Sequence, residues 1–171
     1  MIPHRAIGLD PSSTDNTGWG VVDIIGREEI AVAWGVLDAG AEDDHLRALL
    51  REYDPAAVGI ETIVDVHPVR RKGVDGISTK QALCLYRSGD VAGVLRATAR
   101  AHVTQPKIHQ PTAEQWRRDL IGNAHAEPAQ IDRVLRLRLK GFPPPRKSNN
   151  HHRDGLGVAL HTALAMRMVT R

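Results

Sequence analysis

Three acidic residues of this chain stand at places where a fold would present a carboxylate rather than simply solvate it. Asp10 closes the short apolar run 5–9 (Arg-Ala-Ile-Gly-Leu), and Glu61 closes the run 57–61 (Ala-Val-Gly-Ile-Glu). Asp154 lies in the first turn of the final helical segment, with His151 three residues earlier on the same helical face. In an open sheet, adjacent strand ends gather side chains from distant parts of the sequence. Oxygen-rich carboxylate clusters are what Mg²⁺ or Mn²⁺ require. Two such ions about 4 Å apart suit phosphodiester hydrolysis, activating water and stabilising the departing oxygen. Each acid alone has a plain structural reading as well. Asp-Pro is ordinarily a turn, a strand-terminal Glu is ordinarily solvated, and an acid near a helix N-terminus satisfies the dipole. Spacing alone does not choose between these readings.

The elements that must position these residues are legible from periodicity and breakers. Residues 5–9 read as a strand stopped by Asp10-Pro11, and the Ser/Thr/Asn-rich run after it is turn chemistry. Strands are expected at 18–25 and near 30–37, joined by a tight turn at Gly26-Arg27. A helix is expected from about 42 to 53, with acids in its first turn and Asp54-Pro55 as its stop. A fourth strand covers 57–61, and a basic, glycine-containing loop covers 65–77. Ser78 with Gln81 has the form of a capping box opening a long helix to about 102. A short fifth strand is expected at 106–110. Pro111-Thr112 with Gln115 then opens a helix that is interrupted at Gly122-Asn123. A further helix covers 127–140, Pro143-Pro144-Pro145 begins a stiff connector, and the last helix covers 151–169. Three hairpin-linked strands followed by strand–helix alternation predict an α/β fold. Its core is a five-stranded mixed sheet, three antiparallel strands plus parallel ones, flanked by helices.

With 171 residues the expectation is one domain, 1–171. The single cysteine, Cys84, excludes an intramolecular disulfide and a cysteine-based zinc cluster, and fits a reducing compartment. The opening Met-Ile-Pro-His-Arg has no signal-like apolar stretch, and charges interrupt every apolar run, so no membrane association and a cytoplasmic location are expected. The net charge of +3 conceals an asymmetry: residues 1–66 hold 4 Lys/Arg against 13 Asp/Glu, and residues 67–171 hold 19 against 7. A basic half suits phosphate contacts and an acidic half suits metal ligands, although charge blocks are also ordinary solvated surface.

The ordered motifs resemble those of the RuvC-type Holliday junction resolvases, within the RNase H-like superfamily. Ile7-Gly-Leu-Asp10-Pro, a short turn, then Thr17-Gly-Trp-Gly-Val21 is similar to the opening of that family. Val58-Gly-Ile-Glu61 resembles its second acidic strand, and the segment from Gln81 to Gly93 resembles its long helix. The stretch from Pro111 to Gly122 is similar to its substrate-facing segment, and Asp154-Gly-Leu-Gly-Val-Ala-Leu160 to its final acidic helix.

The resemblance implies an RNase H-like fold and a homodimer, bacterial or phage-encoded, that cuts four-way DNA junctions with paired symmetric nicks. Two Mg²⁺ or Mn²⁺ ions would serve each active site. It implies that Asp10, Glu61 and Asp154 are acidic catalytic and metal-ligating residues, with His151 at the fourth position, where some members carry Asp and others His. Basic residues flanking this site are expected to contact DNA: Arg70, Arg71 and Lys72 after Glu61, Lys80 on the long helix, Arg117 and Arg118, and Arg146 and Lys147 before His151. Trp19, Trp34 and Trp116 are expected to pack the core or helix interfaces, and Cys84 to be a small buried hydrophobe.

The sequence departs from the family in three places: Ser12 where glycine is common, Thr62-Ile63-Val64 where an aromatic wedge is frequent, and Pro128 near a position often basic. These bear on junction selectivity more than on nuclease chemistry. Alternatives at this stage are a broader flap or fork endonuclease of the same fold, a non-catalytic junction-binding module, and an actin-like nucleotide-binding module suggested by Gly8-x-Asp10 before a Ser/Thr turn.

Overall fold

The computed structural model describes residues 3–11, 16–62, 79–143 and 150–169. A mixed sheet forms the centre. Strands β1 (His4–Asp10), β2 (Asn16–Ile25) and β3 (Glu28–Asp38) run antiparallel in sequence order. Strand β4 (Ala57–Ile60) lies parallel to β1 on its other side, and β5 (Lys107–His109) lies parallel to β4. A sixth strand, β6 (Leu139–Lys140), pairs in parallel with β3, giving the order β5-β4-β1-β2-β3-β6. Five strands were expected. The sixth is a two-residue continuation of a helix end whose partners, Glu29 and Ile30, are remote in sequence, so no local pattern announces it.

Among the described residues the helices are α1 (Glu42–Tyr53), α2 (Thr79–Ala101), α3 (Ala113–Ile121), α4 (Pro128–Arg138) and α5 (Asn150–Val169). Their ends follow the local chemistry. Glu42, Asp43 and Asp44 face the N-terminal dipole of α1, and Asp54 ends it in the left-handed region at φ 41°. The Thr112 hydroxyl caps α3 by accepting the Gln115 N–H at 3.1 Å. Ser78 of the expected capping box, the whole basic loop 65–77 and residues 144–149 of the connector lie outside the described residues.

Alternation along β1 divides the core. Ile7 and Leu9 join Val21, Val58 and Ile60 against Leu46, Leu49 and Leu50 of α1 and Ala92, Leu95 and Ala99 of α2. The opposite face meets α5, whose Leu156, Val158, Ala159 and Leu160 pack with Trp116 and Leu120 of α3 and Ile131 and Leu135 of α4. Cys84 is only half-buried on α2, short of the buried position expected.

Helix α5 reaches the sheet more closely than side chains would allow. A Cβ on Gly8 would stand 2.1 Å from the Ala159 backbone nitrogen, and one on Gly18 would stand 2.1 Å from the His151 carbonyl oxygen. Glycine at these two positions is what brings the start of α5 down onto the ends of β1 and β2.

Candidate active site

Strand pairing brings the first two acids together. Asp10 is the last residue of β1, paired across to Gly18. Leu9 pairs with Ile60 on the parallel side, and the Glu61 N–H donates to the Leu9 carbonyl at 2.9 Å, which extends the ladder by one residue beside Asp10. The close seat of α5 over Gly18 delivers His151 and, one turn on, Asp154 to the same sheet edge. His151 Nδ1 lies 4.0 Å from Asp10 Oδ2.

Each carboxylate has a protein partner. Asp154, 12% exposed in its side chain, is held on both oxygens: Arg153 Nε donates to Oδ1 at 2.8 Å, and Arg117 Nη2 reaches Oδ2 at 3.5 Å. Trp116 Nε1 donates to Glu61 Oε2 at 2.7 Å, and Trp116 itself is fully buried. A hydrogen bond of this kind contributes about 0.5–1.5 kcal/mol to a neutral carboxyl and about 1.5–3 kcal/mol to a charged one. The Arg117 guanidinium also lies over the Trp116 ring, 5.2 Å from its centroid.

The electrostatics report a crowded negative site. Burial pushes the Glu61 carboxyl up to about 8, and Asp10 pushes in the same direction; the Trp116 N–H opposes them, and Asp154 adds to the rise. Burial also raises Asp154, against the two guanidiniums that favour its charged form. Asp10 favours the imidazolium of His151 and lifts it above its ordinary value, with burial opposing.

Three carboxylates and an imidazole make an oxygen-rich donor set, suited to Mg²⁺ or Mn²⁺, and the burial and neighbouring negative charge that raise Glu61 are what a bound cation offsets. Among the described residues, no three His, Cys, Asp or Glu side chains are drawn into a ligating cluster.

Of the expected DNA contacts, Arg117 lies at the acidic centre, tied to Asp154, and Arg118 is exposed on α3. Arg70, Arg71, Lys72, Arg146 and Lys147 lie outside the described residues, and Lys80 is described only as a backbone position in α2. Sequence reasoning missed two contributors. Arg153 carries no signal, because consecutive helical residues do not ordinarily share a face. Trp116 was expected as core and is core, but its buried indole N–H was the usable signal, since it needs an acceptor.

A family model described as "Crossover junction endodeoxyribonuclease RuvC" matches residues 6–162. Similar curated proteins of that name come from Agrobacterium fabrum, 27% identical over 91% of this chain and 86% of the relative, and from Neisseria meningitidis serogroup A, 27% identical over 94% and 85%. Among solved structures, Thermus thermophilus RuvC in complex with Holliday junction substrate superimposes with a TM-score of 0.74 at 22% identity, covering 98% of this chain and 97% of that one. A second Thermus thermophilus RuvC structure matches with a TM-score of 0.71 at 20% identity, over 97% of both chains. At these identities the two structures speak to the fold alone.

Proposed function

The chain belongs to the crossover junction endodeoxyribonuclease RuvC family, and from that premise we propose that it resolves four-way DNA junctions by hydrolysing phosphodiesters in paired, symmetric nicks. The observation that carries the reading is the convergence of Asp10, Glu61 and Asp154 from two strand ends and one helix, close enough for Asp10 to help push Glu61 up to about 8. One nuclease domain spans 1–171, and its catalytic residues are Asp10, Glu61, His151 and Asp154.

The reaction uses a divalent metal, Mg²⁺ or Mn²⁺, two ions per site, held by the same four residues. Bound there, the ions supply Lewis-acid activation of water and charge neutralisation at the departing oxygen. The protein's own groups do the rest. Trp116 and Arg117 orient Glu61 and Asp154, and Arg153 neutralises part of the charge on Asp154. Asp10, 4.0 Å from the His151 ring, favours its charged form, and the imidazole stands at the fourth corner of the acidic set. Arg70, Arg71, Lys72, Lys80, Arg118, Arg146 and Lys147 hold phosphates, separating positioning from chemistry.

Two copies of the chain suit two symmetric cuts. The homodimer is supported by α2, which leaves Leu83, Tyr86 and Val94 exposed along its length. No helix among the described residues is long and apolar enough to cross a membrane.

Substitution of the acids tests the assignment. Asp154→Asn and Glu61→Gln lower the cleavage rate of a labelled four-way junction by about 100-fold or more, the scale expected for charge stabilisation in a water-excluded site, while junction binding without metal persists. Cleavage retained within a few-fold in both variants removes these acids from the chemistry.

A further inference from the structure

We infer that Trp116 is a positioning residue for the acidic centre, holding Glu61 through its indole N–H while its ring carries the guanidinium that reaches Asp154. The inference rests on the metal-binding role of Glu61 proposed above. One turn of α3 thereby sets two acids that come from different elements, the end of β4 and the start of α5.

The geometry is over-determined for a tryptophan that merely fills volume. The ring is fully buried, and its N–H is bonded at 2.7 Å to Glu61 Oε2, leaving Oε1 as the carboxylate's other oxygen. Arg117 stacks at 5.2 Å from the ring centroid and extends to Asp154 Oδ2 at 3.5 Å, so the same ring braces a second acid.

The chain around it is built to keep the ring there. The start of α3 is tied to the residue after Glu61, because the Thr62 N–H donates to the Pro111 carbonyl at 2.9 Å and Thr62 bridges to Thr112. On the other side, α5 places Gly157 against the ring, where a Cβ would come within 2.7 Å of Cζ3. A phenylalanine would fill most of this space and leave Glu61 without its donor. Partners that orient metal-binding carboxylates in this way ordinarily govern affinity for the metal as much as stability.

The test uses the full chain labelled with ¹⁵N. Its three tryptophans give three indole N–H cross-peaks, assigned by elimination with Trp19→Phe and Trp34→Phe. Titrated with Mg²⁺ alone, the Trp116 cross-peak shifts and saturates together with the calorimetric binding curve. Trp116→Phe weakens Mg²⁺ binding about tenfold by calorimetry and raises the Mg²⁺ needed for half-maximal junction cleavage by a similar factor, while junction binding without metal is unchanged.

A Trp116 cross-peak that stays still while Mg²⁺ saturates the protein overturns the inference. So does Mg²⁺ affinity within twofold of wild type in Trp116→Phe. Should Trp116→Phe fail to fold, the titration of the wild type decides alone. A protein that cuts no junction yet shows the Mg²⁺-dependent shift keeps the positioning role and loses the proposed function, whereas one that cuts junctions with a silent cross-peak does the reverse.

Discussion

Asp154 and Glu61 sit in the same buried corner and are stabilised by different means: two guanidiniums hold Asp154, and a single indole N–H holds Glu61 against the charge of Asp10. The difference makes Glu61 the more proton-avid of the pair and gives the fold a pH dependence of definite sign. Its carboxyl titrates near 8 in the folded chain against an ordinary 4.5, so between those values the folded protein binds a proton that the unfolded chain has released. That contribution to stability is fully present below the unfolded value and is lost as pH rises through the folded one. His151, also raised, acts in the same sense above its ordinary 6.5. In the presence of a chelator the melting temperature therefore falls as pH rises from about 5 to about 8, Glu61→Gln flattens the fall, and Mg²⁺ restores more stability at the upper end than at the lower. Scanning calorimetry across that range checks it, and a flat profile in the wild type contradicts it. Asp10 and Glu61 stood out in the sequence because each ends an apolar run, and Asp154 because it lies one turn after His151 at the start of the last helix; only the ordered motifs joined the three. Trp116 and Arg153 did not stand out, because their partners are set by how α3 and α5 pack, which local spacing does not encode.

At the scale of elements, the site exists because α5 lies against backbone rather than side chains. Gly8→Ala puts a Cβ against the Ala159 nitrogen and the Gly155 carbonyl oxygen, neither of which can rotate away, so the helix must lift from β1. The expected cost is about 1–3 kcal/mol by denaturant unfolding, in the range of core overpacking. Cleavage falls further than stability, because His151 and Asp154 ride on the displaced turn. Activity unchanged at a temperature where the variant remains folded would show that α5 has slack the packing does not suggest. Most elements were readable from periodicity and breakers: the antiparallel trio, Asp54-Pro55 after α1, and the Thr112 cap. The strand β6 was hidden because Leu139 and Lys140 continue the helical pattern of α4 and become a strand only by meeting Glu29 and Ile30.

For the whole molecule, the charge asymmetry acquires a spatial meaning. The acidic half, 1–66, builds the antiparallel strands, α1 and β4, and supplies Asp10 and Glu61; the basic half supplies α3 and α5, and with them Arg117, Arg153 and Asp154. The candidate centre is the seam between the halves, which is why no single segment of sequence contains it. On the function proposed above, this seam cuts four-way junctions. Labelled four-way junction, flap, fork and linear duplex DNA, each incubated with Mg²⁺ or Mn²⁺ and either the wild type or Asp10→Asn, test it most directly. Paired, symmetric nicks in the four-way junction are expected, with the other forms left intact and all cutting lost in Asp10→Asn. Junction binding without cleavage under both metals, or cleavage that survives Asp10→Asn, would contradict it.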